Sequence, residues 1–124
     1  MSIHNKEAYF ASQWDWACLD ECFGETRISP MDVDGCIERH GHVLFIETKR
    51  PGVQLPKGQQ ITLDALSRKP GVTVLIVWGE PGAPGRIRVM GNKGQREWEP
   101  ADMTILRDIV SKWFTYANRE AANG

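Results

Sequence analysis

Apolar and polar positions repeat with two different periods along the chain, and together these periods predict both helices and strands. Apolar residues spaced three and four apart predict helices over residues 3–23, 57–68 and 102–118. In the last of these, Leu106, Ile109, Val110, Trp113 and Ala117 form one packing stripe. Residues 72–78 are apolar at every position, which is typical of a central strand covered on both faces.

Shorter alternating stretches predict the remaining strands. Residues 31–39 and 42–49 are predicted to pair through a tight turn at His40-Gly41. Residues 79–85 are rich in turn-forming residues and are predicted to be a loop, followed by a hairpin with strands near 86–90 and 95–98. The order helix, strands, helix, strand, hairpin, helix predicts an α/β (α+β) fold with a mixed sheet sandwiched by helices.

Length and composition restrict the class of protein. A chain of 124 residues with 41% hydrophobic and 25% charged residues is predicted to form a single domain spanning residues 1–124. No apolar run reaches the roughly 18 residues of a membrane helix, and no leader pattern is visible at the N-terminus. Cys18, Cys22 and Cys36 are an odd number without zinc-ribbon spacing, which favours free thiols in a reducing cytoplasm.

Charge is unevenly distributed along the chain, although the net charge is only -1. Residues 1–48 hold three basic and nine acidic groups, whereas residues 49–96 hold nine basic and two acidic groups. An acidic half beside a basic half is what a metal site next to a phosphate-binding surface requires. The alternative is ordinary solvated surface charge that happens to cluster.

The predicted hairpin of residues 31–49 brings acidic and basic residues together. If His40-Gly41 forms a two-residue turn, residues whose numbers sum to 81 face each other. Asp34 then lies opposite Glu47, and Asp32 opposite Lys49, with all four side chains on one face and paired β-carbons about 5 Å apart. A register slip of one residue would place Asp34 and Glu47 on opposite faces.

Two adjacent carboxylates on a mostly apolar sheet repel each other, and a divalent cation would neutralise them. Oxygen ligands favour Mg²⁺ or Mn²⁺, with Asp34, Glu47 and the carbonyl of Thr48 as protein ligands. Lys49 could hold an attacking water and offset charge on a phosphodiester. The alternative is that Glu47 and Lys49 form an exposed cross-strand pair without catalytic function.

These residues carry a resemblance to a known family. The segments Asp-Gly-Cys-Ile-Glu at 34–38 and Leu-Phe-Ile-Glu-Thr-Lys-Arg-Pro-Gly at 44–52, followed by Gly58-Gln59, resemble the PD-(D/E)XK nuclease superfamily. The chain is most similar to its small phage and bacterial VRR-NUC-like and resolvase-like members. The resemblance implies a restriction-endonuclease-like core of helix, three strands, helix and strand, and a Mg²⁺-dependent endonuclease or nickase. Because Pro30 and Asp34 are not adjacent, Asp32 stays a less favoured substitute for Asp34.

Further residues are candidates for the same site. Glu7 lies on the apolar stripe of the first predicted helix and could join the metal, or it could be a partly exposed edge of that stripe. Gln59 shares a helix face with Leu63 and is predicted to orient Lys49 or contact phosphate. Basic residues predicted to contact the nucleic-acid backbone, all of them in the basic segment of residues 49–96, are Arg50, Lys57, Lys69, Arg86, Arg88, Lys93 and Arg96.

The sequence therefore predicts a metal-dependent nuclease acting on nucleic acid, with DNA favoured over RNA. A homodimer would allow both strands of a duplex to be cut. The rival hypothesis is a non-catalytic phage protein that binds nucleic acid or regulates a nuclease on the same fold. His4, His40 and His42 have no zinc-like spacing and are predicted to have turn or surface roles.

Overall fold

The computed structural model describes residues 12–122. The chain divides between Asp32 and Val33 into two compact units, which are described separately. The prediction of one domain spanning residues 1–124 stays a prediction.

The described part of the first unit contains a single short helix. A 3-10 helix spans Trp16–Leu19, and the carboxylate of Asp15 accepts a hydrogen bond from the backbone N–H of Ala17. The prediction of a continuous helix over residues 3–23 is wrong for residues 12–23, and its first nine residues lie outside the described part. Asp15 adopts an extended backbone and caps its own chain locally, which competes with a longer α-helix.

The second unit is a five-stranded mixed sheet with two helices. The strands are β1 (Gly35–Arg39), β2 (His42–Lys49), β3 (Val72–Glu80), β4 (Ala83–Gly91) and β5 (Gly94–Trp98), and the helices are α1 (Lys57–Ser67) and α2 (Met103–Arg119). The spatial order of the strands follows the chain, and only β2 and β3 are parallel, because α1 connects them as a crossover. The predicted mixed α/β sheet is confirmed. Within residues 12–56, two strands precede α1, whereas the family resemblance implies three.

The predicted register of the first hairpin is also confirmed. Gly35 pairs with Ile46 and Arg39 with His42, so that paired residue numbers sum to 81. His40 and Gly41 have φ angles of 52° and 87°, the left-handed conformation that a two-residue turn requires at both positions. The strand β1 begins at Gly35, however, four residues later than predicted. This late start removes Asp32 from the ladder.

The two helices cover opposite faces of the sheet. The apolar stripe of α2 packs on Leu44, Leu75, Val77 and Ile87, as its spacing predicts. Helix α1 lies over the other face, where its buried Leu63 shares a pocket with Ile76 and Met90. Because side chains alternate along β3, Leu75 and Ile76 point to different helices and both are fully buried.

The predicted loop at residues 79–85 is wrong. Strands β3 and β4 continue through it and are joined by Pro81 and Gly82, which form a two-residue turn with Gly82 at φ 76°. The ladder is irregular at Trp78 and Gly79. A Cβ on Gly79 would lie 2.4 Å from the carbonyl oxygen of Ala83, so only glycine fits this bulge.

Candidate active site

Glu47 and Lys49 lie at the end of β2, on the sheet face beneath α1. Glu47 is buried, with 6% of its surface exposed. The ammonium nitrogen of Lys49 is 3.5 Å from a carboxylate oxygen of Glu47. Because both residues are two positions apart on one strand, their side chains share this face, as predicted.

Burial and neighbouring groups together set the ionisation of Glu47. Loss of solvation raises the pKa of its carboxyl above the ordinary value, and the nearby charge of Asp34 raises it further. A hydrogen bond from the Gln59 amide and the charge of Lys49 act in the opposite direction and only partly offset this rise. Burial is therefore the main reason that the pKa of Glu47 is raised.

Gln59 extends from α1 toward this carboxyl group. Its side-chain oxygen is buried and accepts no hydrogen bond. An unsatisfied buried acceptor is costly, and a bound cation or an ordered water would satisfy it. This placement agrees with the prediction that Gln59 shares a helix face with Leu63, which is buried.

Asp34 precedes β1 and is held by the neighbouring strand. One of its carboxylate oxygens accepts hydrogen bonds from the backbone N–H of Thr48 at 2.8 Å and from its hydroxyl at 2.9 Å. The Asp34 side chain thus bends toward Thr48 instead of extending a regular ladder opposite Glu47. Thr48 was predicted as a metal ligand through its carbonyl, and this stays a prediction. Its N–H and hydroxyl hold the Asp34 carboxylate.

The ladder pairing predicted for Asp32 is not formed. Asp32 was predicted opposite Lys49, but its carboxylate accepts a hydrogen bond from the Trp16 indole at 3.0 Å within the first unit. The pairing of Asp32 with Lys49 across the ladder is therefore wrong, because β1 starts at Gly35. Glu7 lies outside the described residues.

Two predicted arginines form an ordered network on the same face. The guanidinium groups of Arg86 and Arg88 lie 4.2 and 5.2 Å from the centre of the Trp78 ring, and both contact the carboxylate of Glu97, at 2.6 and 3.1 Å. The hydrogen bond from Arg86 is the main reason that the pKa of Glu97 is lowered. Ladder pairing sets Lys49 beside Trp78, and Trp78 beside Arg86.

The remaining predicted basic residues are distributed around the second unit. Arg50 is exposed and pairs with Glu80 at 3.5 Å. Exposed side chains also belong to Lys57 at the start of α1, Lys69 after its end, and Lys93 in the turn between β4 and β5. Arg96 pairs with Val89 in the ladder, so it lies on the α2 face, opposite Arg88. The seven residues therefore do not all lie on one face of the sheet.

The sequence interpretation missed Trp78 and Glu97 as members of this face. Trp78 was read only as part of an apolar strand, and Glu97 was given no role. Strand alternation could have identified them, because side chains two positions apart lie on the same face. Once the strands are aligned, the face of Glu47 also carries Trp78, Arg86, Arg88 and Glu97. The missing information was the alignment of β4 on β3, because the turn at Pro81-Gly82 was not predicted.

The oxygen groups of this site suit a hard divalent cation. Asp34 and Glu47 offer carboxylate oxygens and Gln59 a buried amide oxygen without a donor. Magnesium is commonly bound by one or two carboxylates, with waters and substrate phosphates completing its shell. Among residues 12–122, no group of three or more His, Cys, Asp or Glu side chains is placed to hold a metal ion. A cation here would therefore depend on ligands from solvent or substrate.

Comparison of the chain with protein-family models, curated proteins and solved structures found no match. Within residues 12–122, no helix has the length and apolar character needed to cross a membrane.

Proposed function

We propose that the protein is a metal-dependent nuclease that hydrolyses phosphodiester bonds in nucleic acid, with Asp34, Glu47 and Lys49 at its active site. The supporting observation is that Glu47 is buried beside Lys49. The pKa of the Glu47 carboxyl is raised by burial and by the charge of Asp34. A bound divalent cation would relieve this excess of negative charge. The proposal follows the resemblance to the PD-(D/E)XK nucleases.

In this proposal Asp34 and Glu47 hold Mg²⁺, or Mn²⁺ in its place. When bound, the ion polarises the phosphodiester and lowers the pKa of a water molecule. Thr48 keeps the Asp34 carboxylate oriented through its two hydrogen bonds. Lys49 positions the attacking water and offsets charge that develops on the phosphate oxygens. Gln59 orients Glu47 through its amide N–H and offers its oxygen to a water molecule at the site.

DNA is the proposed substrate, as the sequence predicts, in the reducing cytoplasm of a bacterium or of a phage-infected cell. All three cysteines are free, which is compatible with this setting. One site cuts one strand, so cleavage of both strands of a duplex would need a homodimer or two separate encounters.

The experiment is incubation of labelled single-stranded, duplex and branched DNA, and of RNA, with the protein in Mg²⁺, Mn²⁺ or EDTA. We expect cleavage in both metals and none in EDTA. Lys49→Met should reduce the rate by about a hundredfold or more, since it removes a group that acts on the reacting phosphate.

Arg68→Met is the control, because Arg68 also pairs with a carboxylate, that of Asp64, and has no role in the proposed site. It should cleave at the wild-type rate. Cleavage that is undiminished in EDTA, or equal rates for Lys49→Met and wild type, would overturn the proposal. Binding without cleavage under all conditions would favour the non-catalytic alternative.

A further inference from the structure

A second groove lies on the sheet face opposite Glu47, between α2 and the hairpin of β4 and β5. Its volume is about 580 Å³, and Val89 and Ile109 contribute to its apolar floor. We call it the β5–α2 groove. It shares no residue with the proposed active site.

Basic side chains line both sides of this groove. Lys93 in the hairpin turn and Arg96 on β5 lie on one side, and Lys112 of α2 lies on the other. Asp108 is the acidic residue that lines the groove, and it pairs with Lys112 in an exposed helical contact. Three cations against one carboxylate make the groove attractive to a polyanion.

Aromatic rings are interleaved with these cations. The guanidinium of Arg96 lies 4.9 Å from the centre of the Trp98 ring, which supports it as a flat cationic platform. Tyr116 lines the groove as well, and half of its surface, 49%, is exposed. The edge-to-face contact of Tyr116 with the buried His42, at 5.0 Å, fixes the orientation of the tyrosine ring.

We infer that the β5–α2 groove binds an unpaired nucleic-acid strand. Lys93 and Lys112 are spaced across the groove to contact phosphates, while bases stack on Tyr116 and on the Arg96–Trp98 platform. A positive groove lined by stacking surfaces is the arrangement that binds single strands with little sequence preference. An acidic peptide would use the cations but would gain nothing from the rings. In duplex DNA the bases stack on each other inside the helix and cannot reach the aromatic rings of the groove.

This binding is separate from the proposed catalysis, because it requires neither a metal ion nor Lys49. The test is fluorescence anisotropy of a labelled oligothymidylate with the whole chain in EDTA, over a range of salt concentrations. The wild type should bind this strand more tightly than duplex DNA, polyglutamate or an abasic strand of the same length. Lys93→Ala/Lys112→Ala should make the plot of log affinity against log salt less steep by about 1.4. This value corresponds to the loss of two phosphate contacts on a single strand.

Substitution of the platform tests stacking apart from charge. Arg96→Lys keeps the charge and loses the planar group, so the affinity for oligothymidylate should fall about tenfold. Arg107→Lys, at an exposed position of α2 outside the groove, should leave it unchanged. The control for the lysine pair is Arg68→Ala/Arg107→Ala, which removes two exposed positive charges outside the groove.

The inference is overturned if the wild type fails to bind oligothymidylate, or if the abasic strand, the duplex or polyglutamate binds equally well. It is also overturned if Arg68→Ala/Arg107→Ala weakens binding as much as the groove pair does. Cleavage without binding in this groove would contradict the groove inference but not the nuclease proposal. Binding in the groove without cleavage would contradict the nuclease proposal but not the groove inference.

Discussion

On the sheet face beneath α2 the buried side chains are apolar, Leu44, Leu75 and Ile87 among them, except for His42 at the start of β2. On the face beneath α1 the same strands carry Glu47 and Arg88 among apolar neighbours. The two faces use the same backbone and alternate residue by residue along each strand. Packing on the α2 face can therefore hold the strands in place while charged groups occupy the α1 face.

The charged groups on the α1 face are not equally satisfied. Glu97 contacts two guanidinium groups, and the pKa of its carboxyl is lowered. Glu47 contacts one lysine, lies near Asp34, and has a raised pKa. The ionised form of Glu97 is thus stabilised by the positive charges of Arg86 and Arg88. In our proposal, Glu47 is the carboxylate on this face that a bound cation contacts.

The largest expected effect comes from the apolar face. Leu75→Ala removes a fully buried side chain beneath α2 and should lower the free energy of unfolding by about 3 kcal/mol, measured by urea denaturation. The affinity of the folded fraction for Mn²⁺ should not change. Val33→Ala, at an exposed position, is the control and should stay within about 0.5 kcal/mol of wild type. Loss of Mn²⁺ affinity in folded Leu75→Ala would contradict the separation of the two faces.

A smaller effect should appear in the pH dependence of stability. Because the folded-state pKa of Glu47 is raised, its contribution to stability is complete below the ordinary carboxyl pKa of 4.5 and is lost as pH rises through the folded-state value. Glu47→Gln should lack this loss and be at least as stable as wild type at pH 7. Urea denaturation from pH 4 to pH 8 without metal checks this expectation. If the stability of wild type and of Glu47→Gln declines equally as pH rises, a group other than Glu47 causes the decline.

The smallest effect is expected at Glu97. Its lowered pKa means that it adds stability above the ordinary value of 4.5, and this stability is lost as pH falls through the folded-state pKa. The network is partly exposed, so Glu97→Gln should cost only about 1 kcal/mol or less at pH 7. The cost should shrink as pH falls below 4.5, opposite in sign to Glu47. A cost that persists at pH 3 would indicate lost packing instead of lost charge.

The sequence predicts most of the second unit, because its signals are local. The left-handed turn at His40-Gly41 sets the register of the first hairpin, and the unbroken apolar run identifies β3 as the central strand. Predictions failed where tertiary contacts or capping decided the structure. Pro81 and Gly82 suggest a loop, yet two flanking strands use them as a minimal turn. Asp15 caps a short turn where apolar spacing predicts a long helix.

The candidate site shows the same division between local and tertiary information. The pairing of Glu47 with Lys49 follows from strand alternation, and the inward direction of Gln59 follows from helical spacing. The attachment of Asp34 to Thr48 could not be predicted, because it depends on where β1 begins. The pairing of Arg86 and Arg88 with Glu97 required the strand alignment created by the Pro81-Gly82 turn.

Calorimetric titration with Mn²⁺ tests most directly the central claim that Asp34 and Glu47 jointly hold a divalent cation. The wild type should bind Mn²⁺, and Asp34→Asn should lose this binding because one of the two carboxylates is removed. Asp64→Asn alters a carboxylate of α1 that pairs with Arg68, and it should bind as wild type does. Wild-type affinity in Asp34→Asn, or equal loss in Asp64→Asn, would contradict the claim.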